Sequence, residues 1–291
     1  MVQNATSITN AITIDVEDYF QVSAFENNID RADWDSLEHR VVNNVERILA
    51  LLDEHQVKAT FFVLGWVAER YPELVKSIIN NGHELASHGY GHQRVTLLTR
   101  DEFRDDLVRA KGILEDISGT AIQGYRAPSY SIGKNNIWAL DVLAQTGHVY
   151  SSSIYPIQHD LYGFPQAPRF TFKESNTGMI EIPISTLKIM NRLFPAGGGG
   201  FFRFYPYSIT RWAINHVNKL DKQPTIFYFH PWEIDPGQPR QHQASAKSRF
   251  RHYLNLSKTE SRLHRLMQDF SWSTVDKVFI ENKEFSEYSL S

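Results

Sequence analysis

KATFFVLGWVAERYPELVKSIINNGHELASHGYGH, residues 58 to 92, decides the fold. KATFFVL (58–64) is strongly apolar and short, which predicts a buried strand. YPELVKSIINNG (71–82) has Pro near its start and Gly at its end, the punctuation of a helix. HELASH (83–88) predicts a second short strand running straight into SHGYGH (87–92). The unit is strand, helix, strand, and its neighbours repeat it. AITIDVE (11–17) predicts a strand ending in acids, and LEHRVVNNVERILALLDEHQ (37–56) places Leu37, Val41, Val45, Ile48 and Leu52 on one helical face. TRDEFRDDLVRAKGILEDISG (99–119) opens with Thr99 and Glu102 at capping-box spacing and closes on Gly119. IQGYRAPSYS (122–131) predicts a strand and loop, NNIWALDVLAQTG (135–147) a helix, and HVYSSS (148–153) a strand. Such alternation argues for parallel strands joined by helical crossovers, as a barrel or a doubly wound sheet.

Beyond residue 153 the pattern loosens. Residues 155–178 predict a long excursion and MIEIPIS (179–185) a strand. SITRWAINHVNKL (208–220) predicts a helix, PTIFYFHPWE (224–233) a strand ending at His230, and KTESRLHRLMQDF (258–270) a helix. STVDKVFI (273–280) is read as a last strand. There is no internal repeat and no clear domain boundary; the weakest point is near 155. GGGG (197–200) lacks the Lys and Ser/Thr of a phosphate loop and runs into aromatics, so it is read as a turn or a close backbone approach.

The 291 residues carry a formal charge of -3, which gives no basic field for nucleic acid. Without cysteine, disulfides, thiolate metal sites and a cysteine nucleophile are excluded, so any metal must be held by His, Asp or Glu. The six Trp and 13% aromatics suit a core or a carbohydrate-facing cleft. No stretch approaches the 18 apolar residues of a membrane span. MVQNATSITN lacks a signal-peptide pattern, so the expected location is the cytoplasm, with AKSRFRHYLNLSK (246–258) either a solvated helix or a peripheral contact at the inner face of the membrane.

Four polar clusters sit just past strand ends: Asp15-Val16-Glu17-Asp18, Ser87 to His92, Tyr125-Arg126-Ala127-Pro128, and His230-Pro231-Trp232-Glu233. In parallel α/β folds these ends form one rim, where active sites gather. Each cluster alone has an ordinary structural reading; together they hold the parts of an amide hydrolase. Two imidazoles and a carboxylate hold a divalent ion with positions left open. Such an N/O donor set suits zinc, and also cobalt, nickel or manganese. A second carboxylate oriented by a guanidinium can take a proton from water, and a histidine can protonate the leaving amine.

The motifs TIDVED (13–18), SHGYGH (87–92), YRAPSY (125–130) and YFHPWE (228–233), in this order, resemble the polysaccharide deacetylases of the NodB-homology type, carbohydrate esterase family 4. GGGGFFRFYPYSITRW and FYFHPWEIDPGQPR look like the subgroup associated with bacterial exopolysaccharide gene clusters. The resemblance spans about residues 10 to 280. It implies a distorted (β/α) barrel with seven or so parallel strands and the active site at their carboxyl ends. It also implies one catalytic domain over 1–291 with a subgroup-specific extension from about 190.

Carried over, Asp15 would be the catalytic base, Arg126 its tuning partner and His230 the general acid; Glu17, His88 and His92 would hold the metal. Ser129, after Pro128, would offer its N–H to the oxyanion, while Tyr130 and Trp232 would wall the sugar pocket. Many family members have two adjacent aspartates where this chain reads Asp-Val-Glu-Asp. Strand alternation puts Asp15 and Glu17 on one face and Asp18 on the other, favouring Glu17 as ligand and Asp18 as a capping residue; a strand ending before Glu17 would make Asp18 the ligand. The family's Asp that orients the acid His has no counterpart in HVYSSSIYP, which offers serines. Glu233 and Asp235 are candidates for that work, and the sequence does not choose between them.

The expected activity is metal-dependent removal of N-acetyl groups from amino sugars of an exopolysaccharide or its lipid-linked precursor. Two alternatives share the fold: a hydrolase of small cyclic amides, and a non-catalytic sugar-binding relative.

Overall fold

The computed structural model describes residues 8–159 and 162–290. Residues 1–7 of the polar N-terminal stretch and 160–161 of the excursion lie outside the described residues. Seven strands run parallel: β1 (Thr9–Val16), β2 (Thr60–Val63), β3 (Glu84–Ser87), β4 (Gly124–Tyr125), β5 (Tyr150–Ser151), β7 (Ile180–Glu181) and β10 (Ile226–Phe229), in the order β10-β1-β2-β3-β4-β5-β7. Antiparallel β6 (Phe172–Glu174) and short β12 (Glu287–Tyr288) follow β7. Helices α1 (Val41–Glu54), α2 (Gly65–Arg70), α3 (Pro72–Asn80), α4 (Arg100–Ser118) and α5 (Trp138–Gln145) form the crossovers. This is the (β/α) barrel architecture that the resemblance implied, one of the two the alternation allowed.

The strands are covered on both faces. All four residues of β2 are buried, as are seven of the eight in β1, which is why they read as unbroken apolar runs. Against them α1 lays Val41, Val45, Ile48, Leu49 and Leu52. Thr99 and Glu102 cap α4 reciprocally, and Gly119 ends it at φ +66. Helix α2 is too short to show a period and is the crossover element missed in the sequence.

Between β7 and β10 the backbone ladder is replaced by a connecting segment. Ser185 Oγ accepts from Ile226 N at 2.8 Å, and Gly197 O accepts from Tyr228 N at 2.7 Å. The hairpin of β8 (Thr186–Ile189) and β9 (Arg192–Pro195) leaves from this seam. The glycine run is a close backbone approach: a Cβ on Gly198, at φ +111, would stand 2.1 Å from Tyr228 O.

The C-terminal half continues as α6 (Gly199–Phe204), α7 (Tyr207–His216), α8 (Ala246–Tyr253) and α9 (Leu256–Asp269). One sequence expectation is corrected here. The last strand of the sheet's core is β11 (Ser271–Ser273), paired with Thr9 to Ala11 of β1, and 276–280 is a π-helical turn. Val275, Val278 and Phe279 are buried at i, i+3 and i+4, a helical spacing that the strand reading overlooked.

Candidate active site at the strand ends

Each predicted cluster lies where its strand delivers it. Asp15 is the penultimate residue of β1, His88 follows β3, Arg126 follows β4, and His230 follows β10. Arg126 is fully buried. Its Nη1 donates to Asp15 Oδ1 at 2.6 Å and to Thr13 Oγ1 at 2.7 Å, and its Nε and Nη2 donate to Ser152 O and Ser152 Oγ. The guanidinium also lies over the Phe62 ring, 4.1 Å from its centroid. Four fixed donor contacts leave Asp15 Oδ1 engaged and turn Oδ2 toward Tyr130 OH at 3.5 Å and His230 Nε2 at 3.9 Å.

Beside this pair, Glu17, His88 and His92 bring one ligand atom each within 4.8 Å of the others. All three are buried. His88 Nδ1 faces Arg126 O at 2.8 Å; a carbonyl only accepts, so Nδ1 carries the proton and Nε2 presents its lone pair. Burial pushes His88 down to about 4, keeping the imidazole neutral as a ligand must be. Glu17 Oε2 lies 2.6 Å from His92 Nε2. Burial would raise the Glu17 carboxyl, but the His92 and His230 charges outweigh it and hold it well below the usual carboxylate range. A buried carboxylate whose oxygen lies among two imidazole nitrogens fits a divalent cation.

Asp18 stands apart from this group. Its Oδ1 accepts from Tyr19 N, and its Oδ2 accepts from Arg40 N at 2.6 Å and Val41 N at 2.9 Å, at the start of α1. It caps the helix, as the strand alternation suggested.

His230 is the more open member, 18% exposed at the side chain. Its Nε2 lies 3.7 Å from Glu17 Oε1, and its Nδ1 lies 2.6 Å from Glu233 Oε1. Glu233 Oε2 in turn accepts from Arg203 Nε at 2.6 Å, and Arg203 Nη1 donates to His252 O. Burial opposes the imidazolium, but the charges of Glu17, Glu233 and Asp15 and the Glu233 hydrogen bond raise His230 to about 9. Asp235, the other acid the sequence offered, pairs with Arg40 instead. The serines of HVYSSS brace the Arg126 loop: Ser152 holds the guanidinium and Ser153 Oγ accepts from Ala127 N.

Trp232 and Tyr130, read in the sequence as pocket walls, are buried supports, 6% and 5% exposed. Trp232 stacks between His230 and His252, with centroids 5.2 and 4.1 Å away, and its Nε1 donates to Glu17 Oε1 at 3.1 Å. Tyr130 packs edge-on against Tyr155, Tyr162 and Tyr228. The turn after Pro128 is left-handed at Ser129 and Tyr130, with φ of +54 and +51, and Ser129 is its accessible residue. Ser23 Oγ holds Ser129 Oγ at 2.6 Å.

Residues 33–150 match the family model described as polysaccharide deacetylase. Over these residues the chain is similar to the polysaccharide deacetylases. Residues 152–280 match a domain of unknown function, DUF3473. The strand-end cluster draws on the deacetylase match, on Asp15 and Glu17 before it, and on His230, Glu233 and Arg203 in the second match. A peptidoglycan-N-acetylglucosamine deacetylase of Bacillus cereus is 38% identical over 96 residues, 33% of this chain and 35% of the relative. A chitooligosaccharide deacetylase of a Bradyrhizobium species is 31% identical over 97 residues, 33% of this chain and 42% of the relative. The chain thus spans about a third to two fifths of these relatives' lengths. A crystal structure from Mycobacterium smegmatis assigned to the polysaccharide deacetylases superposes at TM-score 0.64 and 19% identity, covering 100% of this chain and 96% of that one, which shows a shared fold. No helix among the described residues is long and apolar enough to cross a membrane.

Proposed function

We propose that the protein is a metal-dependent N-deacetylase of amino sugars. The observation that carries this reading is the convergence of an Asp–Arg pair, a Glu/His/His ligand group and a His–Glu–Arg chain on one rim. Glu17, His88 and His92 would hold one divalent ion, with zinc the favoured metal and cobalt, nickel or manganese also compatible with the donors. Bound there, such an ion supplies a Lewis acid that polarises the acetamide carbonyl and acidifies water.

The chain's own residues do the rest. Asp15, oriented through Oδ1 by Arg126, takes the proton of the attacking water on Oδ2. His230 gives a proton from Nε2 to the amide nitrogen as the carbon–nitrogen bond breaks, releasing acetate and the free amine. Glu233 fixes the imidazole by accepting from Nδ1. The Ser129 N–H would meet charge developing on the acetyl oxygen. The substrate class rests on the named relatives, which act on N-acetylated glycans. The narrower reading, an exopolysaccharide or its lipid-linked precursor, rests on the resemblance of residues 197–240 noted above.

The test is acetate release from N-acetylglucosamine oligomers by the metal-loaded protein, beside Asp15→Asn. Release that depends on Asp15 is expected. No release from any N-acetylated oligomer or lipid-linked saccharide would overturn the reading.

A further inference from the structure

Away from the strand-end rim, α1 and α9 meet along a polar seam. Arg47 Nη2 donates to Glu260 Oε2 at 2.8 Å. Further along both helices, His55 Nε2 faces His264 Nδ1 at 2.9 Å, with the rings edge-to-face at 5.1 Å and 69°. Glu54 Oε1 lies 3.7 Å from the same His264 nitrogen. The ligand atoms of Glu54, His55 and His264 all lie within 4.8 Å of one another, although the two elements that supply them are some 200 residues apart in sequence.

Two neutral imidazoles meeting nitrogen to nitrogen share a single proton, so one lone pair is committed to holding the other ring. A cation uses both lone pairs and the neighbouring carboxylate at once. With zinc–nitrogen bonds of about 2.0–2.1 Å in a tetrahedral site, ligand atoms stand roughly 3.3–3.4 Å apart. The 2.9 and 3.7 Å separations bracket that value, so small side-chain rotations are enough. All three residues are at least partly exposed, so ions enter freely and water completes the coordination.

We propose that Glu54, His55 and His264 form a second site for a borderline divalent cation, zinc first, distinct from Glu17, His88 and His92. The ion pins α9 of the C-terminal half onto α1 of the N-terminal half, alongside the Arg47–Glu260 pair. Its role is to hold the module that carries Arg203 and Glu233 against the barrel.

The untagged chain is stripped with chelator and titrated with zinc chloride, with bound metal counted after gel filtration. Wild type, His264→Gln, His88→Ala and the double variant are compared. The site predicts that His264→Gln loses one equivalent in both backgrounds, and that zinc raises the melting temperature of His88→Ala but not of the double variant. Equal metal content within each pair overturns it. Equal melting temperatures of wild type and His264→Gln in chelator establish that the variant folds. The comparison of His88→Ala with wild type tests the rim ligands separately, so the two readings fail independently.

Discussion

Glu233 Oε1 stands 2.6 Å from His230 Nδ1, and the other oxygen of that carboxylate is held by Arg203 at 2.6 Å. His230 is therefore fixed by a carboxylate three residues along its own chain, which in turn is anchored by α6. Glu233→Gln keeps the shape and removes the charge. His230, raised to about 9 in the wild type, then loses both a hydrogen bond and a charge that favour its protonated form. The alkaline limb of the pH–rate profile is expected to move down by about one unit. An unmoved limb would show that Glu233 does not govern His230.

The same chain makes a stability prediction. Glu233 and Arg203 are both buried, at 0% and 3% exposure. Arg203→Met leaves the buried carboxylate with His230 alone as its partner and should cost about 3–5 kcal/mol in urea unfolding. Arg203→Met combined with Glu233→Gln removes the stranded charge and should be more stable than Arg203→Met alone. A double variant that loses the sum of the two single losses would refute the coupling.

Glu17 and Asp18 are neighbours in sequence, and the proposal gives them two different tasks. Glu17→Gln should lose the rim metal while Asp18→Asn retains it. Asp18→Ala should instead lower stability by about 1–2 kcal/mol, because Arg40 N and Val41 N at the start of α1 lose their acceptor. Elemental analysis and denaturant titration separate the two outcomes. Metal lost from Asp18→Asn would return Asp18 to the ligand set.

Asp15→Asn is expected to lower deacetylation by about a hundred- to ten-thousand-fold with metal content unchanged. His88→Ala should lose activity and the rim metal. Activity and metal falling together in Asp15→Asn would mean that Asp15 holds the ion rather than the proton.

The barrel and the rim were legible because buried parallel strands are unbroken apolar runs, and because polar residues just past such runs must share one edge of the sheet. Asp15, at the end of β1, and His88, Arg126 and His230, just past their strands, all lie on that edge. The bracing of His230 was not legible. Arg203 lies 30 residues before Glu233 on a short helix after the glycine run, and no period links the two. Ser152 stood where an acid was sought, yet it serves Arg126. Trp232 looked like a sugar platform because aromatic type alone does not say which face is covered; its ring is sandwiched between two histidines. Val275, Val278 and Phe279 were misread because eight residues are too few to separate the two periods.

His148 gives a pH dependence that is independent of any metal. It is 5% exposed, its Nδ1 meets Thr146 Oγ1 at 3.0 Å, and its Nε2 has no hydrogen-bond partner. Burial, with a smaller push from Lys111, lowers it to about 3. The folded state therefore refuses a proton that the unfolded chain accepts near 6.5. This contribution to stability is complete above pH 6.5 and is lost as pH falls toward 3, at about 1.4 kcal/mol per pH unit. His148→Phe keeps a ring against Tyr125 and cannot titrate. Urea unfolding of both proteins between pH 7.5 and 4.5 should show the wild type losing stability more steeply, with the gap changing by about 3 kcal/mol over that range. Parallel curves would mean that His148 is protonated, or released, in the folded protein.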